Sequence, residues 1–257
     1  MAAQPSTPAN PVDPEPMPLG RLLVLHLAPG ALATLLYIVL AQPVQEAGFP
    51  AIFAFLIAIA VVIVPIELAV IIRASRREAP DGGWLAAITF RRPLPLRDWA
   101  WLFPVLVVAA FIGFGVVALI EPTIRDSVFS WLPEWFRFPV PVDDLDAFST
   151  SAWTITMIAY ALLNVVIGPP VEELYFRGYL LPRMTAYGRA APLLNVVLFS
   201  LYHFWTPWQI LSRIAGVLPF AYAAWWKRNV YLGMAVHCTL NAIGTATVAA
   251  LVFQAVG

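Results

Sequence analysis

Seven long apolar runs joined by short polar or proline-rich segments organise the chain, at about 21–41, 50–72, 99–120, 151–168, 190–205, 208–226 and 229–253. A helix of about twenty apolar residues matches the hydrocarbon thickness of a bilayer, so each run reads as a transmembrane helix. The pattern predicts an all-α fold, a polytopic transmembrane bundle of seven to eight helices. The eighth helix would be "PPVEELYFRGYLLPRM" (169–184), which either continues the fourth run or stands alone. Pro169 and Pro170 suit the first turn of a helix and disrupt its interior. No internal repeat, heptad pattern or soluble domain is visible, and the loops at 73–98 and 121–150 are too short to fold by themselves.

Composition supports this reading. Of 257 residues, 61% are hydrophobic and 12% charged, and the mean hydropathy is +0.79. A soluble domain carries roughly 25% charged residues, so the chain is expected in a membrane with the lipid bilayer as a partner. The formal net charge is zero, which gives no general attraction to nucleic acid. The single cysteine, Cys238, excludes an intramolecular disulfide and says nothing about the redox compartment. Residues 1–20 are rich in proline and small polar residues. They read as a disordered tail, without the basic start and apolar core of a signal peptide.

Charge orients the spans. The segment 73–98 holds Arg73, Arg76, Arg77, Arg91, Arg92 and Arg97, which places it in the cytoplasm by the positive-inside rule. The segment 121–148 sets only Arg125 and Arg137 among Glu121, Asp126, Glu134, Asp143, Asp144 and Asp146, and belongs outside. Arg177, Arg183 and Arg189 then fall inside, "WTPW" (205–208) outside, and Lys227 with Arg228 inside, giving a cytoplasmic N-terminus. Trp99, Trp101, Trp131, Trp135, Trp205, Trp208, Trp225 and Trp226 lie near span ends, as an aromatic belt would.

Ionisable side chains within apolar spans are expensive and suggest function. They are Glu67, Glu172, Glu173, Arg177, His203, Arg213 and His237, with Asn164, Asn195 and Asn241 as neutral companions; most follow residue 160. Glu173 and Arg177 are four apart and share a helix face, so they can pair. Glu172 is turned about 100° from Glu173 and points elsewhere, free to accept a proton. A plainer reading makes both acids favourable partners of a helix N-terminus after Pro-Pro. Phe199 and His203 are also four apart, so the ring can pack on the imidazole, although an interfacial histidine would look the same. His237 and Asn241 repeat that spacing. They could be helix–helix glue at about 0.6–2 kcal/mol per bond, metal ligands, or donors to an oxyanion.

Taken together, a carboxylate, two histidines and an asparagine on separate helices are what water activation needs. A base takes the proton from water and donors hold the tetrahedral oxyanion. Alternatively Glu172, His203 and His237 bind a divalent metal such as zinc with an open position for water. Both schemes end in hydrolysis of an acyl bond. The remaining polar residues read more simply. Glu67 is an interfacial acid near the arginine cluster, Arg213 snorkels to the outer headgroups, His26 lies at an interface, and Asn164 and Asn195 bridge helices.

The three segments "EELYFR" (172–177), "FSLYH" (199–203) and "HCTLN" (237–241) match the patterns EExxxR, FxxxH and HxxxN. In this order on successive spans they resemble the family of CAAX proteases and bacteriocin-processing enzymes, the CPBP intramembrane proteases, which includes the type II CAAX prenyl endopeptidases. The resemblance covers roughly residues 150–253. It implies one integral membrane domain, with N-terminal helices and loops over 21–148 and the catalytic region over 149–257. It also implies an intramembrane endopeptidase acting on a membrane protein or lipid-anchored peptide, with CAAX cleavage as one form. Glu172 would activate water with the help of His203. His237 and Asn241 would stabilise the oxyanion or lie near a metal, and Glu173, Arg177 and Phe199 would support them. The family is usually labelled metal-dependent, and a metal-free glutamate mechanism has also been argued for it; HExxH is absent here. A bacterial cytoplasmic membrane is the expected location. Two other functions compete: a non-catalytic scaffold or bacteriocin-immunity protein of the same fold, and a small proton-relaying transporter, which lacks the expected repeat.

Depth raises a conflict. Glu172 falls near the cytoplasmic side, whereas His203, next to Trp205, falls towards the outside. A course in which residues 169–184 dip back into the bilayer would bring them together.

Overall fold

A computed structural model describes residues 14–136, 145 and 147–256. Within these residues the chain forms eight helices and no strand. They are α1 (Leu19–Glu46), α2 (Ala51–Glu78), α3 (Leu96–Ala118), α4 (Glu121–Val128), α5 (Thr150–Arg183), α6 (Ala191–Tyr202), α7 (Ile210–Lys227) and α8 (Val230–Val256). The helical bundle and its count agree with the hydrophobic pattern. Most of the expected tail, and Arg137, Asp143, Asp144 and Asp146 of the acidic loop, lie outside the described residues. The later part of that tail is held: Met17 is buried, and its N–H donates to the Arg183 carbonyl at 2.9 Å.

Five helices, α1, α2, α3, α5 and α8, are long and apolar enough to cross a membrane. The expected seven crossings are thus revised at two places. The run at 190–205 becomes α6, only 12 residues long and about 18 Å by helical rise, short of a hydrocarbon core of about 30 Å. The run at 208–226 becomes α7, which starts after a turn at 203–206 and a 3₁₀ turn, Pro207–Gln209. The fourth run does not stop at the prolines. It continues through them as one 34-residue helix, α5, so residues 169–184 are neither separate nor re-entrant.

The physical reason is local. Pro169 and Pro170 have no N–H to donate, and the turn before them widens into a π-helical segment, Leu162–Ile167. A second π segment, Glu173–Leu180, follows. Helix α2 does the same before Pro65, with a π segment at Ile59–Ile63. Such bulges absorb a break without ending the helix and often mark functional sites.

The basic segments meet at one end of the bundle. Arg183 contacts Glu78 at 2.5 Å and donates to the Ala87 and Tyr179 carbonyls. The Thr89 N–H donates to the Gly178 carbonyl, and Lys227 pairs with Asp98 at 2.9 Å. Helix α7 closes on Arg228 in the left-handed region (φ 50°). Asn229 then caps α8 by accepting from the Leu232 N–H at 2.8 Å, while its own amide donates to the Arg92 carbonyl. Helices α3 and α7 touch through glycines. A Cβ on Gly113 would lie 2.5 Å from the Ala215 carbonyl oxygen, and one on Gly216 would enter the Phe114 ring. Small residues of this kind let membrane helices approach closely.

Candidate active site

The depth conflict disappears because α6 is short. Starting at the basic end, α6 brings His203 about 18 Å up the bundle; Glu172 lies about 16 Å from Arg183, and Asn241 about 16 Å from Val230, by helical rise. His237 lies somewhat nearer that end. Trp205 and Trp208 do not form a lipid-facing belt: both are buried, Trp205 tilted on Phe55 with ring centres 4.6 Å apart and Trp208 edge-on to Phe129.

One face of α8 carries Gly233, His237, Asn241 and Thr245, each four residues from the next. That stripe packs along α5. At the wide π turn, the Gly168 N–H bonds to the Leu163 carbonyl, and the next residue is a proline. The Asn164 carbonyl therefore has no donor within its helix, and the Asn241 amide supplies one at 2.8 Å. Asn164 in turn donates to Thr245 Oγ1 at 3.0 Å. The expectation that Asn164 bridges helices holds, and Asn241 joins it as a cap for the broken turn.

Further along the same seam, Glu173 is completely buried and its Oε1 lies 3.0 Å from Arg177 Nη1, the pair expected from their spacing. The same oxygen lies 3.1 Å from His237 Nδ1. A carboxylate only accepts, so His237 Nδ1 carries the proton and its Nε2 is turned towards Glu172 Oε2, 3.9 Å away. Gly233 makes this approach possible, because a Cβ there would sit 2.9 Å from Glu173 Oε2. A line Arg177–Glu173–His237–Glu172 results. Spacing did not reveal that Glu173 belongs to His237 as well as to Arg177; a glycine four residues before the histidine was the available sign.

Arg177 is also fully buried. Its contact with Glu173 is ionic rather than a directed hydrogen bond, since none of its guanidinium nitrogens meets hydrogen-bond geometry. Aromatic faces surround it instead: Phe199 at 4.1 Å, Phe220 at 5.8 Å and Phe176 at 5.9 Å from the guanidinium carbon. Cation–π attraction is strongest in such desolvated places. Phe199 packs edge-on to His203 (4.7 Å), as its spacing suggested, and reaches His237 (6.1 Å). His203 donates from Nδ1 to the Phe199 carbonyl at 2.7 Å.

A cavity of about 540 Å³ beside this line is bordered by Glu172, His203, His237, Asn164, Asn241 and Arg213 among apolar side chains. Arg213 is 8% exposed and bonds to Thr206 and Gln209, so it does not snorkel to headgroups. Glu67 is not interfacial either: it is buried and accepts from the Tyr202 hydroxyl at 3.0 Å. His26 is likewise buried, donating from Nδ1 to the Leu22 carbonyl and accepting at Nε2 from Asn195. Asn195 also donates to the Phe176 carbonyl and bridges helices as expected.

The residues expected as zinc ligands, Glu172, His203 and His237, all border this cavity. Among the described residues no three His, Cys, Asp or Glu side chains gather to hold a metal ion, whereas a catalytic zinc takes three protein ligands. Glu172 Oε2 and His237 Nε2 lie 3.9 Å apart, and His237 Nδ1 is engaged by Glu173.

A helical membrane bundle with a buried carboxylate, two histidines and a cavity defines the class. Residues 153–243 match the family model for type II CAAX prenyl endopeptidase Rce1-like proteins. Over this stretch the chain is similar to that family, and the resemblance carried by the three motifs agrees with the match. With the five apolar helices, the match identifies an integral membrane protein, and at family level it supports a CAAX-type intramembrane protease. No curated protein and no solved structure matches the chain.

Proposed function

We propose that this protein is an intramembrane endopeptidase in which Glu172 activates water against a peptide bond of a membrane-associated substrate. The observation that carries the reading is the line from Arg177 through Glu173 and His237 to Glu172, bordering a cavity that also holds His203. A water at ordinary hydrogen-bond distance from both Glu172 Oε2 and His237 Nε2 is compatible with their separation. Glu172 takes its proton as the hydroxide adds to the scissile carbonyl, and the proton then passes to the leaving amine. Glu173 fixes the tautomer and orientation of His237, as a buried carboxylate does for a catalytic histidine elsewhere. His203, with Nδ1 committed to the Phe199 carbonyl, offers Nε2 for proton transfer.

Substrate entry follows from charge. By the positive-inside rule the basic end faces the cytoplasm in a bacterial inner membrane, and the tail of a lipid-anchored protein enters from that leaflet. The test uses the full chain in vesicles with a prenylated-cysteine peptide of the CAAX form. Mass spectrometry should find one internal bond cut by the wild type and the peptide intact with Glu172→Gln. Cleavage by Glu172→Gln at the wild-type rate contradicts the role of Glu172. Survival of prenylated and unprenylated membrane peptides alike, with the protein folded, contradicts the activity and favours a scaffold.

A further inference from the structure

Two buried arginines stand near the site, and only one has a carboxylate at ion-pair distance. Arg177 has Glu173 and three aromatic faces. Arg213, equally deep in the protein, has its Nη2 held by Thr206 Oγ1 at 2.8 Å and Gln209 Oε1 at 3.1 Å, while its Nη1 is buried without a hydrogen-bond partner. Among the described residues no carboxylate lies within ion-pair distance of it. The charges of Glu172 and Glu121 reach it, but Glu172 is turned to His237 and Glu121 is taken by Ser212 and Gln209. A guanidinium removed from water without an anion is costly, the more so within a bilayer. Two neutral acceptors orient it and leave one side of its donor fork unspent.

Arg213 forms part of the wall of the same cavity as Glu172 and His203. By helical rise it lies about 21 Å from the basic end, a few ångströms beyond Glu172. An extended peptide advances roughly 3.3–3.6 Å per residue, so along the bundle a group reaching Arg213 sits about one to two residues past a bond held at Glu172. Phe55, Ile59, Ile63 and Val217 contribute apolar wall to the cavity.

We propose that Arg213 anchors a carboxylate of the substrate, namely the free C-terminal carboxylate of an apolar peptide tail. The inference rests on the endopeptidase reading for its position relative to Glu172, but not for the binding itself. A planar guanidinium with a free donor edge is suited to a carboxylate. The anion supplies the missing partner, and the apolar walls take the last side chains. The enzyme would then measure its cleavage position from the end of the chain.

The experiment measures equilibrium binding of three prenylated-cysteine peptides to the full chain in vesicles, alongside cleavage by the wild type. One peptide ends in a free carboxylate, one in a carboxamide, and one in a carboxamide with aspartate as its last residue. Binding is read on Glu172→Gln, so that no peptide is consumed, with and without Arg213→Gln. The free acid should bind about 10- to 100-fold tighter than the amide, as a charge-assisted bond of this kind allows, and Arg213→Gln should reduce acid binding to the amide level. Unchanged amide binding by Arg213→Gln shows that the cavity is intact. Recovery of tight binding by the aspartate peptide keeps the carboxylate site and changes its source to a side chain. Equal binding of acid and amide to the parent protein overturns the proposal without any Arg213 variant, and so does a preference that survives Arg213→Gln. A binding preference without cleavage of any peptide refutes the endopeptidase reading and leaves the carboxylate site standing.

Discussion

Two seams hold this bundle together in opposite ways. Between α3 and α7, Gly113 and Gly216 let backbone and ring touch, and the ion pair of Lys227 with Asp98 lies apart from them, at the basic end of the two helices. Between α5 and α8, contact runs through Asn241 on the Asn164 carbonyl, Asn164 on Thr245, and His237 between two glutamates. Away from that end, the first seam packs tightly on small residues, as membrane helices commonly do. Polar groups are therefore not what close packing requires here. Hydrogen-bonded glue accounts for Asn164, Asn241 and Thr245. It does not account for Glu172, whose carboxylate borders a cavity and lies 3.9 Å from His237.

The comparison can be broken at graded points. The largest stability effect is expected from Arg177→Met, which strands Glu173 as a buried charge; removing one member of a buried pair costs about 3–5 kcal/mol. Thermal unfolding in detergent measures it, and adding Glu173→Gln should restore part of the loss. A single variant as stable as the wild type contradicts the pairing. Next is Gly216→Leu, which forces a side chain into Phe114 and should cost about 1–3 kcal/mol as overpacking does, with cleavage per folded molecule retained. Asn241→Ala leaves the Asn164 carbonyl without its donor and should destabilise by about 1–2 kcal/mol, read from the same melts. The smallest effect belongs to Thr245→Val, at about 0.6 kcal/mol, the average for a hydrogen bond between membrane helices.

Much of this was legible in the chain. Helical spacing alone put Glu173 with Arg177 and Phe199 with His203, and the ordered motifs on three helices located the residues that gather around one cavity. What misled was the assumption that each apolar run is a full crossing whose polar residues lie at its rims. Hydropathy does not distinguish side chains facing lipid from those facing other helices. Trp205, Trp208, Arg213, His26 and Glu67 were accordingly assigned to the membrane surface, although each is buried among helices. The short α6 and the unbroken α5 depend on how a π turn accommodates Pro169 and Pro170, which composition does not reveal. The link from Glu173 to His237 depends on the rotation of α8 against α5, a tertiary fact that local spacing cannot contain.

The central claim is that the polar seam serves chemistry and the apolar seam serves the fold. Its most direct test is the cleavage rate per folded molecule of Glu172→Gln, set beside Gly216→Leu at one temperature. Loss of a positioned base should lower the Glu172→Gln rate by about 10²–10⁴-fold with the melting temperature unchanged, while Gly216→Leu loses stability and keeps its rate per folded molecule. A Glu172→Gln protein that cleaves within a few-fold of wild type, or that loses activity only as far as it unfolds, would contradict the claim.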